Sequence, residues 1–261
     1  MSGGRMLEDR VVLVSGGTQG VGAAIARAAV REGATVAVTG RRGDVGAAAE
    51  AELRSLGGRA LFVGADVANV AQATASVRRT VEELGRVDGL VNAAGLTSRG
   101  SLLDTTPELF DEHVAVNLRG PFFLMQAAVE DMRRRGAPGS IVNITTMSAH
   151  GGQPYLAPYV ASKAGLVALT RNVAHAHRWD RIRVNAVNIG WTETEGEDAV
   201  QRRFHGAGDD WAEQAARSLP MGRLAQPEDA AELVVLLLSD RSGVATGSVI
   251  DWDQQVLGAH D

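Results

Sequence analysis

The sequence predicts an α/β fold: a doubly wound, parallel, seven-stranded sheet with helices on both faces, in a single domain. Its short apolar runs show no alternation of polar and apolar positions, which is typical of strands covered on both faces. Segments of helical character separate these runs, so strands and helices alternate. No internal repeat, low-complexity tract or linker interrupts the chain, and residues 1–261 are therefore expected to form one domain.

Each predicted strand is a short run of apolar, mostly β-branched residues that stops at turn residues. The predicted strands cover residues 11–14, 35–39, 60–63, 87–91, 140–145, 183–188 and 248–252. The helices between the early strands end at glycine, and the later helices begin at proline, which suits a first helical turn. The predicted helices cover residues 21–31, 47–56, 70–84, 107–135, 158–177 and 227–238.

The segment 191–219 breaks this alternation of strands and helices. It mixes acidic residues with Trp191, Phe204, His205 and Trp211. A segment this long inside one domain usually covers or binds a ligand, so we predict a substrate-binding loop or lid. An inert helical excursion is the alternative.

Composition excludes several classes of function. The net charge of −5 argues against nucleic acid or an anionic membrane surface as a partner. The chain has no cysteine and none of its six histidines lies in a metal-binding motif, so metal catalysis is not expected. The N-terminus lacks the apolar core of a signal peptide, and the longest apolar run, 233–238, is shorter than the ~20 residues of a membrane span. We expect a cytoplasmic protein that acts on a small molecule.

A glycine-rich loop, residues 15–22, lies between the first predicted strand and the first predicted helix. Glycines there permit a tight turn and a close backbone approach, while the helix N-terminus offers free N–H groups to a pyrophosphate. The position after a strand and before a helix supports a dinucleotide site. The residues expected at the phosphates are Gly16, Thr18, Gln19, Gly20, Val21 and Gly22.

Tyr159 and Lys163 are four residues apart on a predicted helix, so their side chains lie on the same face. A lone tyrosine titrates near pH ~10, too high for acid/base work at neutral pH. A neighbouring cation favours the phenolate and lowers that pKa, which suits the pair to proton transfer. The alternative is a tyrosine at the edge of the core and a solvated lysine.

Three motifs, in order and spacing, resemble the short-chain dehydrogenase/reductase family: Gly16-x-x-x-Gly20-x-Gly22, Asn92-Ala93-Ala94-Gly95 and Tyr159-x-x-x-Lys163. The resemblance covers residues 7–258 and implies a Rossmann-like fold that binds a nicotinamide dinucleotide. It implies that the tyrosine exchanges a proton with the substrate oxygen. It also implies that the lysine lowers the tyrosine pKa and holds the nicotinamide ribose, while the cofactor supplies the hydride.

The resemblance implies roles for further residues. Asp66 and Val67 correspond to the pair at the adenine ring, where the Asp66 side chain bonds the exocyclic amine. Asn117 corresponds to an asparagine that holds a water against Lys163 in a proton relay, and a solvated helix residue is the alternative. The fourth strand ends beside the ribose, where a pure turn role is also open, with residues Asn92, Ala93, Ala94 and Gly95.

Three positions depart from the family pattern. The catalytic serine, thirteen residues before the tyrosine, is Thr146 here, and Ser148 is the alternative donor to the substrate oxygen. Threonine can make the same hydrogen bond, although its methyl group stiffens χ1. Ile189 replaces the usual proline, yet the resemblance still places its backbone and the side chain of Thr194 at the nicotinamide carboxamide. Residues 251–255 replace an Asp-Gly-Gly ending that helps form a subunit interface in many relatives.

The end of the second predicted strand bears on the choice of cofactor. An acidic residue at position 40 would bind a ribose 2′-hydroxyl and repel a 2′-phosphate, but this position is Gly40. Arg41 and Arg42 follow it and can pair with phosphate. Gln19 argues the other way, because many NADP-dependent relatives carry a basic residue there. We favour NADP(H), with NAD(H) as the alternative. Arg41 and Arg42 are otherwise solvated side chains with no role in cofactor binding.

The leading hypothesis is an NAD(P)-dependent oxidoreductase that interconverts a secondary alcohol and a ketone. Polar groups together with two tryptophans suggest a small hydroxylated substrate such as a polyol or sugar. Substrate choice is expected to depend on the segment 191–211 and on Thr146, Ser148, His150, Gln153 and Tyr155.

Two other functions are the alternatives to this hypothesis. A 3-oxoacyl-carrier-protein-type reductase would use the arginine run 133–135 to dock an acidic carrier, and a nucleotide-sensing relative would keep the fold without turnover. Enoyl reduction is less favoured, because family members with that chemistry space tyrosine and lysine more widely. The family habit implies a homo-oligomer, a tetramer or a dimer.

Overall fold

Seven strands form one sheet in the computed structural model of the chain, which describes residues 4–258. Residues 1–3 and 259–261 of the predicted 1–261 domain lie outside the described residues. The strands are β1 Val11–Ser15, β2 Thr35–Gly40, β3 Ala60–Gly64, β4 Gly89–Asn92, β5 Gly139–Thr146, β6 Ile182–Ile189 and β7 Val249–Trp252. They stand in the order β3-β2-β1-β4-β5-β6-β7, and every neighbouring pair is parallel.

Helices cover both faces of this sheet, which confirms the predicted α/β fold. The helices are α1 Gly20–Arg31, α2 Gly43–Ser55, α3 Val70–Leu84, α4 Pro107–Val114, α5 Gly120–Arg135, α6 Ala157–His177, α7 Glu195–His205, α8 Trp211–Ala216 and α9 Pro227–Leu238. In β1, Val12 and Val14 are buried in the core formed with α1 and α9. Leu13 is buried in the second core, formed with α3, α5 and α6. Successive strand residues therefore face opposite cores, and both are apolar.

The strand order reverses between β1 and β4, because the chain runs outward to β3 and then returns to the other side of β1. Ser15, the last residue of β1, pairs with Asn92, the last residue of β4. The loops that follow these two strands therefore leave the sheet side by side. In open α/β sheets the crevice at such a switch point, at the carboxyl ends of the strands, is where ligands bind.

The predicted helix 107–135 is continuous but not uniformly α-helical. A π-helical segment, Ala115–Arg119, separates α4 from α5. The physical reason lies in Pro121, which has no N–H and whose ring would clash with the carbonyl of Asn117 four residues earlier. A wider turn relieves this clash, and it lies beside the cavity described below.

The predicted lid, 191–219, is not a structureless loop, because it contains α7 and α8. Trp211, Leu219 and Leu224 are buried together in a small apolar cluster of their own. Other boundaries shift slightly; α2, for example, begins at Gly43 rather than at residue 47. Within residues 4–258, none of the helices combines the length and the apolar character that crossing a membrane would require.

Candidate active site

One large cavity, with a volume of about 1450 Å³, lies at the carboxyl ends of the strands. Its wall is formed by the glycine loop, by the ends of β2, β4, β5 and β6, and by the lid. All the predicted catalytic and cofactor-binding residues line it except Asn92 and Asn117, and of the side chains outside the lid predicted to set substrate choice only His150 does not. Among residues 4–258, no group of three or more histidine and carboxylate side chains could hold a metal ion.

The glycine loop is shaped by positions that have no room for a side chain. Gly16 has φ +74°, and a Cβ there would lie 2.6 Å from the backbone nitrogen of Ala94. A Cβ at Gly22 would lie 2.2 Å from the carbonyl oxygen of Gly16. The residue before α1, Gln19, makes no side-chain hydrogen bond to the first turn, so the helix N–H groups stay available. This cradle fits the pyrophosphate of a dinucleotide.

Thr18 of the glycine loop lies against Gly40, the last residue of β2. No carboxylate is present at Gly40, and a Cβ there would lie 2.8 Å from the Thr18 hydroxyl oxygen, so a side chain at this position would require Thr18 to move. Arg41 and Arg42 are exposed at the cavity rim, and Arg42 donates a hydrogen bond to the Gln19 side chain at 2.5 Å. Gln19, the residue that argues against a phosphate site, thus holds the Arg42 guanidinium beside the glycine loop. Two cations, Arg41 and Arg42, thus follow Gly40 at the end of β2.

At the other end of the cavity, α6 brings Tyr159 and Lys163 to its wall, and both are buried. The Lys163 ammonium donates to the Ile144 carbonyl oxygen at 2.8 Å. Burial raises the pKa of Tyr159 to about 12, although its hydrogen bond with Thr146 acts in the opposite direction. Burial also lowers the pKa of Lys163 to about 8.

These values correct one expectation from the sequence. Lys163 was expected to lower the pKa of Tyr159, but loss of hydration is the largest influence on the phenol. The ammonium is directed to the carbonyl at the end of β5 instead. Tyr159 is therefore a neutral hydroxyl at pH 7, and Lys163 remains mostly protonated.

The chain is similar over nearly its whole length to a known enzyme family. A family model described as enoyl-(acyl carrier protein) reductase matches residues 16–254. The 2-(S)-hydroxypropyl-CoM dehydrogenase 3 of Xanthobacter autotrophicus is 37% identical over 250 residues, 95% of this chain and 96% of that protein. The chain belongs to the short-chain dehydrogenase/reductase family.

Two further relatives show the same agreement. The L-rhamnose 1-dehydrogenase (NAD(P)(+)) of a Sphingomonas species is 36% identical over 252 residues, 94% of this chain and 95% of that protein. A crystal structure of an actinorhodin polyketide ketoreductase variant with NADPH superposes with a TM-score of 0.90 at 32% identity, over 94% of this chain and 96% of that chain. The chain is an oxidoreductase of this NAD(P)-dependent family.

Of the two candidate hydroxyls in this short-chain dehydrogenase/reductase, Thr146 is the one that acts on Tyr159, lowering the pKa of the phenol against the effect of burial. Its oxygen also accepts from the Ser148 backbone N–H at 3.2 Å. The Ser148 hydroxyl turns away and donates to the Gln153 side chain at 2.7 Å. Both residues line the cavity, but the geometry favours Thr146 as the partner of the tyrosine.

Asn117 is fully buried in the π-helical segment, so the alternative of a solvated helix residue is wrong. Its amide bonds both the N–H and the carbonyl of Leu96, at 2.8 and 3.0 Å, and donates to the Ser162 hydroxyl at 3.1 Å. His113, which sequence reasoning missed, lies 3.3 Å from the same amide and packs edge-on against the Tyr159 ring. Its position four residues before Asn117, on the same helix face, was the available signal.

Asn92 lies behind the cavity wall rather than in it. Its amide donates to Asn143 of β5 at 2.8 Å, and Asn143 donates to Thr170 of α6 at 2.9 Å. The Asn92 side-chain oxygen is buried and has no hydrogen-bond partner among the described residues. Asn92 therefore joins neighbouring strands, while the next three residues, Ala93, Ala94 and Gly95, line the cavity.

The tail, residues 251–257, forms part of the cavity wall beside the residues predicted to hold the nicotinamide. Asp253 packs against Gly190 so closely that a Cβ on Gly190 would lie 2.0 Å from its carboxylate. Behind it, Asn188 donates to Asp251 at 2.7 Å, and His150 contacts the same carboxylate at 3.0 Å. Sequence reasoning treated the tail as an interface element, but Asp253, Gln255 and Leu257 line the cavity.

Proposed function

We propose that the chain interconverts a secondary alcohol and a ketone by hydride transfer, with Tyr159 as the general acid and base. One observation carries this proposal: the Tyr159 and Thr146 hydroxyls stand together in the wall of a cavity whose other end is a dinucleotide cradle. When bound, the nicotinamide dinucleotide supplies a hydride to the carbonyl carbon, or accepts one in the reverse direction.

The residues of the chain supply the proton and the orientation. Tyr159 gives its hydroxyl proton to the carbonyl oxygen, so that ketone, hydride and proton become the alcohol. Thr146 donates a hydrogen bond to the same oxygen and stabilises the charge that develops there. Lys163 would hold the ribose of the bound cofactor, and the Ile189 backbone and the Thr194 hydroxyl would hold its carboxamide.

Replacement of Tyr159 by Phe tests this proposal. A panel of ketones and alcohols is assayed with NADPH and NADH by absorbance of the reduced nicotinamide. We expect turnover to fall by at least about a thousandfold, since both the proton and its donor are lost, while dinucleotide affinity stays nearly constant. Substantial turnover in Tyr159→Phe would refute the assignment. Tight NADPH binding by the wild type with no oxidation across the panel would favour a nucleotide-sensing role instead.

The proposed cofactor is NADP(H), held at its 2′-phosphate by Arg41 and Arg42. The support is the pair of exposed arginines that follow Gly40, a position with no acidic side chain. The Arg41→Ala, Arg42→Ala double variant should bind NADPH about tenfold or more weakly while its affinity for NADH is unchanged. Equal loss for both cofactors would contradict a phosphate site.

The carrier-protein alternative receives less support from the charges on α5. Arg133 pairs with Asp180, while Arg134 and Arg135 both pair with Asp131. Paired guanidinium groups offer a weaker field to an acidic carrier than free ones. We therefore keep a small free substrate in the proposal.

Assembly and location complete the proposal. We expect a homo-oligomer, a tetramer or a dimer, and an open groove lined by Leu118 and Phe122 of the π segment and α5, and by Leu169 of α6, supports a contact between copies. Light scattering at several protein concentrations tests it. Location in the cytoplasm remains a prediction that cell fractionation can check.

A further inference from the structure

Arg99 is a partly unsatisfied cation in the cavity wall. It follows β4, and its side chain is only 14% exposed. Its Nε donates to His205 at 3.2 Å, its Nη1 donates to the Thr97 carbonyl at 2.8 Å, and the guanidinium lies 5.6 Å from the centre of the Tyr155 ring. Among residues 4–258, no acceptor lies within hydrogen-bond distance of its Nη2. The two N–H groups of Nη2 in this partly buried arginine thus have no hydrogen-bond partner among the described residues.

Glu197 of the lid faces this free end of Arg99. The two side chains approach to 4.0 Å, which makes an ion pair but not a hydrogen bond. The Glu197 carboxylate is 17% exposed and is held in place by Trp191 at 2.9 Å and by Gln201 at 2.7 Å. Both of these bonds are made to Oε1, and both residues of the ion pair line the cavity.

The ion pair lines the same cavity as the Tyr159 hydroxyl. The charges of Glu197 and Arg99 act on the pKa of Tyr159 in opposite directions, the carboxylate raising it and the guanidinium lowering it. Substrate bound at Tyr159 therefore extends towards a donor and an acceptor that lie side by side.

The opposite charges of Arg99 and Glu197 determine which class of substrate can bind to them. A free arginine would suit a carboxylate or a phosphate, but Glu197 neutralises it and repels an anion. A hydroxyl group both donates and accepts, so adjacent hydroxyls match a guanidinium beside a carboxylate. The rings of Tyr155 and Trp191 provide apolar surface for the carbon chain.

We infer that Arg99 and Glu197 bind hydroxyl groups of a neutral polyhydroxylated ketone or alcohol and so set the substrate class; this rests on the proposed alcohol–ketone interconversion. The two residues determine specificity at a distance from the reacting carbon. Glu197 contributes the acceptor from the lid, and Arg99 contributes the donor from the loop after β4.

Three ketones with equal numbers of heavy atoms test the inference: erythrulose, sec-butyl ethyl ketone and levulinate. The first carries hydroxyls, the second replaces them by methyl groups, and the third carries a carboxylate. We expect kcat/KM for erythrulose to exceed that of the other two by on the order of tenfold or more. In Arg99→Met and in Glu197→Gln this preference should fall by about tenfold, mainly through the KM for erythrulose.

Arg203→Met is the matched control. Arg203 lies on the same lid helix and over a ring, 5.0 Å from the centre of Phe204, but it does not line the cavity. Its removal changes the charge of the lid and should leave the preference as it is. Melting curves establish that all variants are folded.

The outcomes separate this inference from the proposed function. Preference for levulinate that depends on Arg99 would mean an anion site, and equal use of sec-butyl ethyl ketone would mean no hydroxyl recognition; either overturns the inference. If no ketone is reduced, binding of the same three compounds is followed by tryptophan fluorescence, since Trp191 lines the cavity. Binding of erythrulose that is lost in Arg99→Met would then uphold the inference while the proposed activity fails, and absence of binding would overturn it.

Discussion

The two ends of the cavity are built by different means. In the dinucleotide half, the loop 15–22 with the ends of β2 and β4, backbone geometry sets the shape: a positive φ at Gly16 and no room for a Cβ at Gly22. In the lid half, residues 191–219 with the tail 251–257, contacts between side chains set it. Arg99 and His205, which are bonded there, lie 106 residues apart in the sequence.

This difference predicts how each half responds to substitution. The backbone of the glycine loop has no alternative arrangement, so one added carbon should weaken dinucleotide binding. In the lid half, the interaction energy is divided among several side-chain contacts. The loss of one contact should therefore have a smaller effect on stability or binding. The largest effect is expected where the halves meet, at the reacting hydroxyls.

Thr146 and Ser148 form a matched pair at this meeting point. Thr146→Val keeps the shape and removes the hydroxyl that is proposed to donate to the substrate oxygen, so kcat should fall by about a hundredfold or more. Ser148→Ala removes a hydroxyl that is engaged with Gln153 and should lower kcat by less than about tenfold. Steady-state rates on one ketone compare the two, and the reverse order would transfer the role to Ser148.

Gly22→Ala tests the backbone half. The new Cβ would lie 2.2 Å from the Gly16 carbonyl oxygen, and that oxygen belongs to the loop itself. Strain of about 1–3 kcal/mol should weaken NADPH binding by roughly ten- to a hundredfold, measured by fluorescence titration. Gly64→Ala is the control, because its Cβ would meet only Phe62 at 3.9 Å. Unchanged affinity in Gly22→Ala would show that the cradle can relax.

The same difference explains what the sequence could and could not predict. The strands, the glycine loop and the Tyr159–Lys163 pair depend on neighbours within a few residues, and local patterns reveal them. The Arg99–Glu197 pair depends on where the lid packs, and no local pattern records that. The pKa of Tyr159 was misjudged for a related reason: spacing shows that a cation is near, but only the fold shows how deeply both groups are buried.

Lys163 is the only lysine of the chain, so its titration can be followed as a single NMR signal after lysine labelling. We expect a pKa near 8, below its ordinary 10.5, because burial disfavours the charge. The unfolded chain then binds more protons between these values, so the free energy of unfolding should rise as pH increases from about 8 to 10.5.

Lys163→Met should therefore stabilise the fold at pH 7, by about 1–3 kcal/mol, at the expense of activity. The gain should shrink as the pH rises above about 8, where wild-type Lys163 loses its charge. Urea denaturation across this pH range measures both. A lysine that titrates above pH 10, or a variant less stable than wild type, would mean that the bond to Ile144 outweighs the lost hydration.

The smallest effect is expected at His150, which bonds Asp251 in the tail of the lid half. Its bond to Asp251 is between side chains that are 38% and 40% exposed, where solvent screening limits an ion pair to about 0.2–1 kcal/mol. Asn188 still holds Asp251 when His150 is replaced, so His150→Asn should lower the free energy of unfolding by less than about 1 kcal/mol. Asn188→Ala is the contrast, because buried Asn188 bonds Thr145 as well and should cost about 1–3 kcal/mol in the same denaturation experiment. A larger loss for His150→Asn would mean that the lid half also depends on single contacts.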